Sequence, residues 1–264
     1  MPRHKKPKLA VWKFTSCDGC QLSILDCEEE LLAIASRLEI AYFLEASKRT
    51  MRGPYDISIV EGSVSTPEEI KRIQDIRSNS RIIVTVGACA ASGGIQALKN
   101  FRDKNDFLSL VYATPSYICT LDTALPISRY VPVNFALQGC PINKGQLLNL
   151  ICALLEGRTP NIPTYSVCVE CKLKGNICIL VSKNAPCLGP VTQAGCGAIC
   201  PTYNRACYGC FGPKETPNAT ALASELKTCG FSNADIARVF RTFNPTREEF
   251  YQIGRQYERS KKSD

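Results

Sequence analysis

Sixteen of the 264 residues are cysteine, against a single histidine, and twelve of those cysteines lie in patterns that could hold metal. Cys17 and Cys20 form a Cys-Asp-Gly-Cys motif, Cys89 ends Gly-Ala-Cys, and Cys140 begins Cys-Pro after Gly139. Eight more crowd one segment: Cys168-x2-Cys171-x6-Cys178-x8-Cys187, then Cys196-x3-Cys200-x6-Cys207-x2-Cys210. Four thiolates make an all-sulfur tetrahedral set that suits zinc or an iron–sulfur cluster. Around the first four, Gly19, Gly87 and Gly139 each precede a cysteine by one or two residues. Such glycines free the backbone to wrap a cluster and aim N–H groups at its sulfurs, whereas a zinc ribbon draws its ligands from two more closely spaced knuckles. The later eight divide into two sets of four in many ways. Spacing alone does not choose, since the last cysteine of one ferredoxin run can ligate the other cluster, and paired Cys-x2-Cys is also what zinc knuckles use. Cys27 and Cys152 sit within helix-like apolar segments and read as packing residues, while Cys119 and Cys229 carry no pattern.

The first four cysteines share a position along the chain. β-rich runs are expected at Leu9 to Phe14, Ile40 to Leu44, Ile57 to Glu61, Arg81 to Val86 and Val133 to Leu137, and the cysteine motifs follow the first, fourth and fifth. Helix-like segments separate the runs. QLSILDCEEELLAIASRL has helical spacing, TPEEIKRIQDI opens with Thr66 before Pro67, and NKGQLLNLICALLEG stops at Gly157. Alternation of this kind predicts an open, mostly parallel sheet covered on both faces. Loops after the strands of such a sheet gather on one edge, where ligands bind. Near residues 158–163 the composition shifts, and the cysteine-rich stretch that follows has too little apolar periodicity to hold a core alone; metal-ligand bonds would supply the missing folding free energy. Helical patterning returns after residue 218 in ALASELKTCG, NADIARVFRTF and REEFYQIGRQYERSK.

Composition narrows the function classes. With 45% hydrophobic residues and 21% charged ones, the chain is globular, and no run reaches the about 18 apolar residues that a membrane helix needs. The basic start MPRHKKPK leads into only a short apolar run, and no export signal, twin-arginine pair or lipidation motif is seen, so a cytoplasmic protein without disulfides is expected. There is no dinucleotide fingerprint after a strand and no P-loop. His4 lies in the basic start and reads as a solvated tail residue; Glu28 to Glu30 read as a solvated helix face. The formal charge of +8 is not accompanied by the interleaved aromatic and basic residues of a nucleic-acid surface.

Taken in order, Cys17-x-Gly19-Cys20, the Val60-Glu61-Gly62 run, Gly87-x-Cys89, Gly139-Cys140-Pro141 and a terminal cysteine-rich segment resemble the small subunits of [NiFe] hydrogenases over nearly the whole length. The related cluster-bearing subunit of respiratory complex I carries adjacent cysteines, and no Cys-Cys pair occurs here. The resemblance implies a flavodoxin-like α/β domain over 1–160, followed over 161–264 by an irregular, mostly helical iron–sulfur domain. It implies a proximal [4Fe–4S] cluster on Cys17, Cys20, Cys89 and Cys140. The Leu188-Gly189-Pro190 run aligns with a family feature after the last distal ligand, which implies a distal cluster on Cys168, Cys171, Cys178 and Cys187 and a medial one on Cys196, Cys200, Cys207 and Cys210. Two positions depart from the periplasmic uptake enzymes: cysteine replaces histidine at 168, and Cys200 completes a medial set that usually has three cysteines. Both changes lower reduction potentials, other things being equal.

A relay of that kind has no catalytic residue of its own. The nickel–iron centre would belong to a large α subunit, and FAD and NAD(P) to a diaphorase-type flavoprotein γ subunit and an iron–sulfur β subunit, as in cytoplasmic sulfhydrogenases. F420- or heterodisulfide-linked hydrogenases are the close alternative, and a zinc-stabilised interaction module or a free ferredoxin-like carrier the alternatives from other classes. Neither nucleic acid nor membrane is an expected partner.

Overall fold

The computed structural model describes residues 6–259; His4 and the extreme basic ends lie outside them. Five strands, β1 (Lys8–Lys13), β2 (Glu39–Phe43), β3 (Tyr55–Glu61), β4 (Ser80–Val86) and β5 (Phe135–Leu137), form one sheet in the order β2-β1-β3-β4-β5. Every pairing is parallel. This is the flavodoxin-like order, in which the sheet is wound outward in both directions from a switch point between β1 and β3.

The strand sequences explain why both faces are covered. Side chains alternate across a sheet, so Leu9, Val11, Ile57, Ile59, Val84 and Val86 enter one core, while Ala10, Trp12, Val60 and Ile83 enter another. The first core is closed by α1 (Gly19–Leu25), α2 (Glu28–Arg37) and α6 (Lys144–Leu155), the second by α3 (Pro67–Ser78). At the start of α3, Thr66 Oγ1 accepts from the Glu69 N–H while Glu69 Oε2 accepts from the Thr66 N–H, a reciprocal cap that fixes where this helix leaves the sheet.

Two elements differ from the sequence expectation. The apolar segment from Gln21 to Leu38 breaks after Leu25: the N–H of Cys27 bonds to the Ile24 carbonyl, and Glu28, the first residue of α2, takes a φ of 40°. Cys27 is fully buried at this break, its thiol donating to the Ser23 carbonyl, while Glu28, Glu29 and Glu30 are exposed in the first turn of α2. The last strand starts at Phe135 rather than Val133, because the Asn134 side chain takes over the ladder and accepts the Ile83 N–H.

Two further helices, α4 (Gly87–Ser92) and α5 (Lys104–Val111), lie between β4 and β5. After residue 160 the helices are short: α7 (Val167–Leu173), α8 (Ile179–Lys183) and α9 (Ile199–Thr202). Then come α10 (Ala219–Thr228), α11 (Asn233–Phe240) and α12 (Glu248–Arg259). These last three pack around Leu222, Leu226, Ile236, Phe240, Phe250 and Ile253, and Leu188 and Val191 from the cysteine-rich stretch join that core. The stretch also has a small cluster of its own, and two of its four buried members are cysteines, Cys187 and Cys207.

Candidate metal centres

Cys17 and Cys20 leave the end of β1, Cys89 lies in α4 directly after β4, and Cys140 follows β5 by three residues, so all four stand at the carboxyl edge of the sheet. A bond from the Ala88 N–H to the Gly139 carbonyl, 2.7 Å, ties the last two loops together. Two glycines make room for the sulfurs. A Cβ at Gly87, where φ is +85°, would stand 2.5 Å from Cys20 Sγ, and one at Gly94, where φ is +63°, 2.5 Å from Cys89 Sγ. Both conformations belong to the left-handed region that favours glycine.

The four thiols also act on one another electrostatically. Burial pushes the Cys89 thiol up to about 12, with Cys140 and Cys17 adding in the same direction. Burial likewise raises Cys20, and Glu61, Cys89 and Cys140 contribute; Cys140 is raised by burial and by Cys17. Such thiols stay protonated at neutral pH unless a bound cation compensates their charge, and metal coordination does this.

Glu61 ends β3 beside this set and is 2% exposed. Its carboxylate accepts from the Cys20 N–H at 3.2 Å and from Gln21 Nε2 at 2.9 Å, which tethers the start of α1 to the sheet. Burial raises its pKa above the ordinary carboxylate value, opposed by the Gln21 and Cys20 hydrogen bonds. On the other side, the Gln96 side chain hydrogen-bonds to the Cys89 thiol, leaving its own Oε1 buried without a partner. Sequence reading singled out neither role. A buried carboxylate at a strand end, as in Val60-Glu61-Gly62, was the available signal for the first; Gln96 gave none.

Four of the eight later cysteines share one cavity. Cys168, Cys171, Cys178 and Cys187 line a single cavity of about 140 Å³ whose wall is otherwise largely apolar. The Cys168 thiol is pushed up to about 11, by burial first and then by Cys187, Cys171 and Cys178. Cys196, Cys200, Cys207 and Cys210 lie outside that cavity's lining. Burial raises Cys210 to about 12, with Cys196 and Cys200 adding; burial dominates at Cys207, where Cys187 and then Cys210 add, and at Cys200, where Cys196 and then Cys187 add.

A line of contacts connects these cysteines. The Cys140 N–H and thiol both act on the Cys210 thiol, joining the first group to the group of Cys210. The Cys207 N–H donates to Cys187 Sγ at 3.2 Å, joining that group to the cavity set. Among the described residues no three His, Cys, Asp or Glu side chains converge tightly enough to hold a single metal ion. Of the other cysteines, Cys119 is exposed, and Cys152 and Cys229 are partly buried on or beside helices.

A buried polar link holds the line to the sheet. Asn244, just before α12, donates from Nδ2 to the Gly209 carbonyl at 2.8 Å, and its Oδ1 lies 2.6 Å from Ser92 Oγ, the donor. Thr246 Oγ1 donates to the Ser92 carbonyl at 2.8 Å. Ser92 closes the helix that carries Cys89, and Gly209 lies between Cys207 and Cys210.

Comparison with known proteins agrees with this architecture. The family of the NADH ubiquinone oxidoreductase 20 kDa subunit matches residues 17–154. The chain is 36% identical to sulfhydrogenase 2 subunit delta of Pyrococcus furiosus, over 89% of this chain and 98% of that one. It is 33% identical to a subunit of the F420-non-reducing hydrogenase of Methanocaldococcus jannaschii, over 78% of this chain and 81% of that one. Among solved structures, a chain of an NAD+-reducing [NiFe]-hydrogenase superposes with a TM-score of 0.56 at 28% identity, covering 60% of this chain and 96% of that chain. The chain therefore belongs to the NADH ubiquinone oxidoreductase 20 kDa subunit family, and it is a homologue of the small subunits of hydrogenases.

Proposed function

We propose that this chain is the electron-relay small subunit of a cytoplasmic [NiFe] hydrogenase. Cys17, Cys20, Cys89 and Cys140 would hold a proximal [4Fe–4S] cluster, Cys196, Cys200, Cys207 and Cys210 a medial one, and Cys168, Cys171, Cys178 and Cys187 a distal one. The observation that supports this reading is the run of contacts connecting the strand-end cysteines to the cavity cysteines, at Cys140–Cys210 and at Cys207–Cys187. Its two ends reach the surface, at Cys17 and at Cys178, while Cys187 and Cys207 between them are buried.

Each residue set fits such a group. Gly87 and Gly94 leave space that any Cβ would fill beside Cys20 and Cys89, and the cavity bounded by Cys168, Cys171, Cys178 and Cys187 offers thiols to a bound group from several sides. The four ligands of a cluster bind four separate irons, so they need not converge on one point, whereas zinc draws all four sulfurs to about 2.3 Å from one centre. When bound, each cluster takes up and passes on one electron. The chain's own part is to hold the thiolates, exclude water with the surrounding apolar residues and set potentials through N–H groups aimed at sulfur. No acid, base or nucleophile is required.

The partners proposed are a large α subunit bearing the nickel–iron centre and, on the acceptor side, flavin- and cluster-bearing γ and β subunits that carry FAD and NAD(P). Similarity to part of an F420-non-reducing hydrogenase supports a second acceptor class without changing the relay role. Purification of the native complex without oxygen tests the reading. A nickel-containing partner should co-purify, and hydrogen should reduce the clusters of this chain; a nickel-free preparation whose clusters ignore hydrogen would overturn it.

A further inference from the structure

Helix α7 reaches both the cavity cysteines and Cys196. Cys168, Cys171 and Lys172 line the cavity, and their spacing of three and four residues puts them on one helix face. Glu170 is not part of that lining; two residues after Cys168, it lies about 200° further round the helix. Its carboxylate instead accepts from the Gly195 N–H at 2.9 Å and the Ala198 N–H at 3.2 Å, on the turn that carries Cys196. That turn has left-handed backbone at Gly197, φ +65°, and at Ala198, φ 51°, a conformation a residue with a Cβ keeps only when its surroundings hold it. N–H groups in such a turn point to one side and form an anion-binding concavity, the kind that also serves iron–sulfur sites. Here they are divided between a carboxylate and a sulfur. The Ala198 N–H serves Glu170 and the Cys196 sulfur together, and the Ile199 N–H donates to that sulfur as well. Burial raises the Cys196 thiol, these N–H groups oppose the rise, and the charge of Glu170 adds to it. The opposing cation on the turn is Lys174, one helical turn after Glu170; its Nζ lies 3.3 Å from where a Cβ of Gly197 would stand, and it is exposed to water, which screens it.

We propose that Glu170 is a positioning residue that holds the medial cluster at low potential, through its negative charge beside Cys196 and its hold on the Gly195 and Ala198 N–H groups; the proposal rests on the relay reading above, with Cys196 as a medial ligand. Both effects have the same sign. A fixed negative charge disfavours an incoming electron, and an N–H group bonded to the carboxylate is not free to stabilise the more negative, reduced cluster. The consequence falls in the middle of the relay, where a cluster that bound its electron tightly would retain it, and Glu170 keeps that site from becoming a trap. Reduction there adds one electron, delivered by the neighbouring cluster, with no bond made or broken and no proton moved.

The test uses the full chain, purified without oxygen with its clusters, titrated with dithionite in the presence of mediator dyes and read by EPR. The medial signal is the one altered in Cys200→Ser. At a fixed potential near the native medial midpoint, Glu170→Gln should raise the ratio of reduced to oxidised medial cluster about tenfold, a shift of about 59 mV for one electron. Glu170→Asp keeps the charge and should leave that ratio within about twofold of native. The proximal cluster should not respond, and the distal cluster should respond less than the medial one, because Glu170 faces away from the cavity. An unchanged medial ratio in Glu170→Gln, the result expected of a merely structural clamp, would overturn the proposal, and so would a larger change at the distal cluster than at the medial one. If Glu170→Gln loses its medial iron, Lys174→Met reads the same field from the opposing charge: the medial ratio should fall about twofold, and an unchanged ratio would overturn the proposal. A native chain with fewer than three clusters would instead overturn the relay reading, before any variant was compared.

Discussion

Glu61 and Gln96 flank the first cysteine group with opposite chemistry, one a buried carboxylate and the other an amide donor. Because burial raises the Glu61 pKa, its protonated form is favoured in the folded state. Its contribution to stability is complete below the ordinary value of 4.5 and is lost as pH rises through the raised folded value. Glu61→Gln removes that loss. The thermal midpoint of the native protein relative to Glu61→Gln should therefore fall as pH is raised from about 5 to 8, measured without oxygen; a constant difference would contradict the assignment. Gln96→Leu deletes a donor to the Cys89 sulfur. A donor stabilises the more negative, reduced cluster, so this substitution should lower the proximal midpoint potential in an EPR-monitored titration while the other two stay put. The strand-end placement of Cys17, Cys20, Cys89 and Cys140 was legible in the sequence, because their motifs and glycine neighbours are local. The two flanking roles were not, since Glu61 meets Cys20 across 41 residues and Gln96 presents a generic side chain.

At the level of elements, alternation of apolar runs and helical segments sufficed for the parallel sheet, and strand-end placement gathered Cys17, Cys20, Cys89 and Cys140 on one edge. Boundaries failed where a side chain replaced the backbone, as at Asn134, or where a tight bond broke an apolar pattern, as at Cys27. Spacing alone left the partition of the later eight open. The cavity shared by Cys168, Cys171, Cys178 and Cys187 supports the division proposed here, and it depends on how α7, α8 and the loop to Cys187 pack. Also illegible was the link through Asn244, whose partner Ser92 is 152 residues away. Asn244→Ala removes the two hydrogen bonds to the Ser92 hydroxyl and the Gly209 carbonyl, which keep the Ala88 carbonyl and the Gly212 N–H as their other partners, at a cost of about 1–3 kcal/mol for the pair. The variant should melt several degrees lower, and because Gly209 lies between Cys207 and Cys210 it should lose medial iron before distal iron during mild chelation. Equal loss from both would count against the link's local role.

Across the whole molecule, the charge of +8 and the cysteine content explain each other. An oxidised [4Fe–4S] core on four thiolates carries about −2, so three bring the chain to about +2, and one electron on each takes it to about −1. With the proposed clusters bound, much of the basic excess would be their counter-charge. No helix among the described residues is long and apolar enough to cross a membrane. The central claim, three four-iron clusters on twelve cysteines, is tested most directly by metal and sulfide analysis of the chain purified without oxygen. About twelve iron and twelve acid-labile sulfide per chain, with no stoichiometric zinc, is the predicted result. Zinc without sulfide, or iron enough for a single cluster, would contradict it.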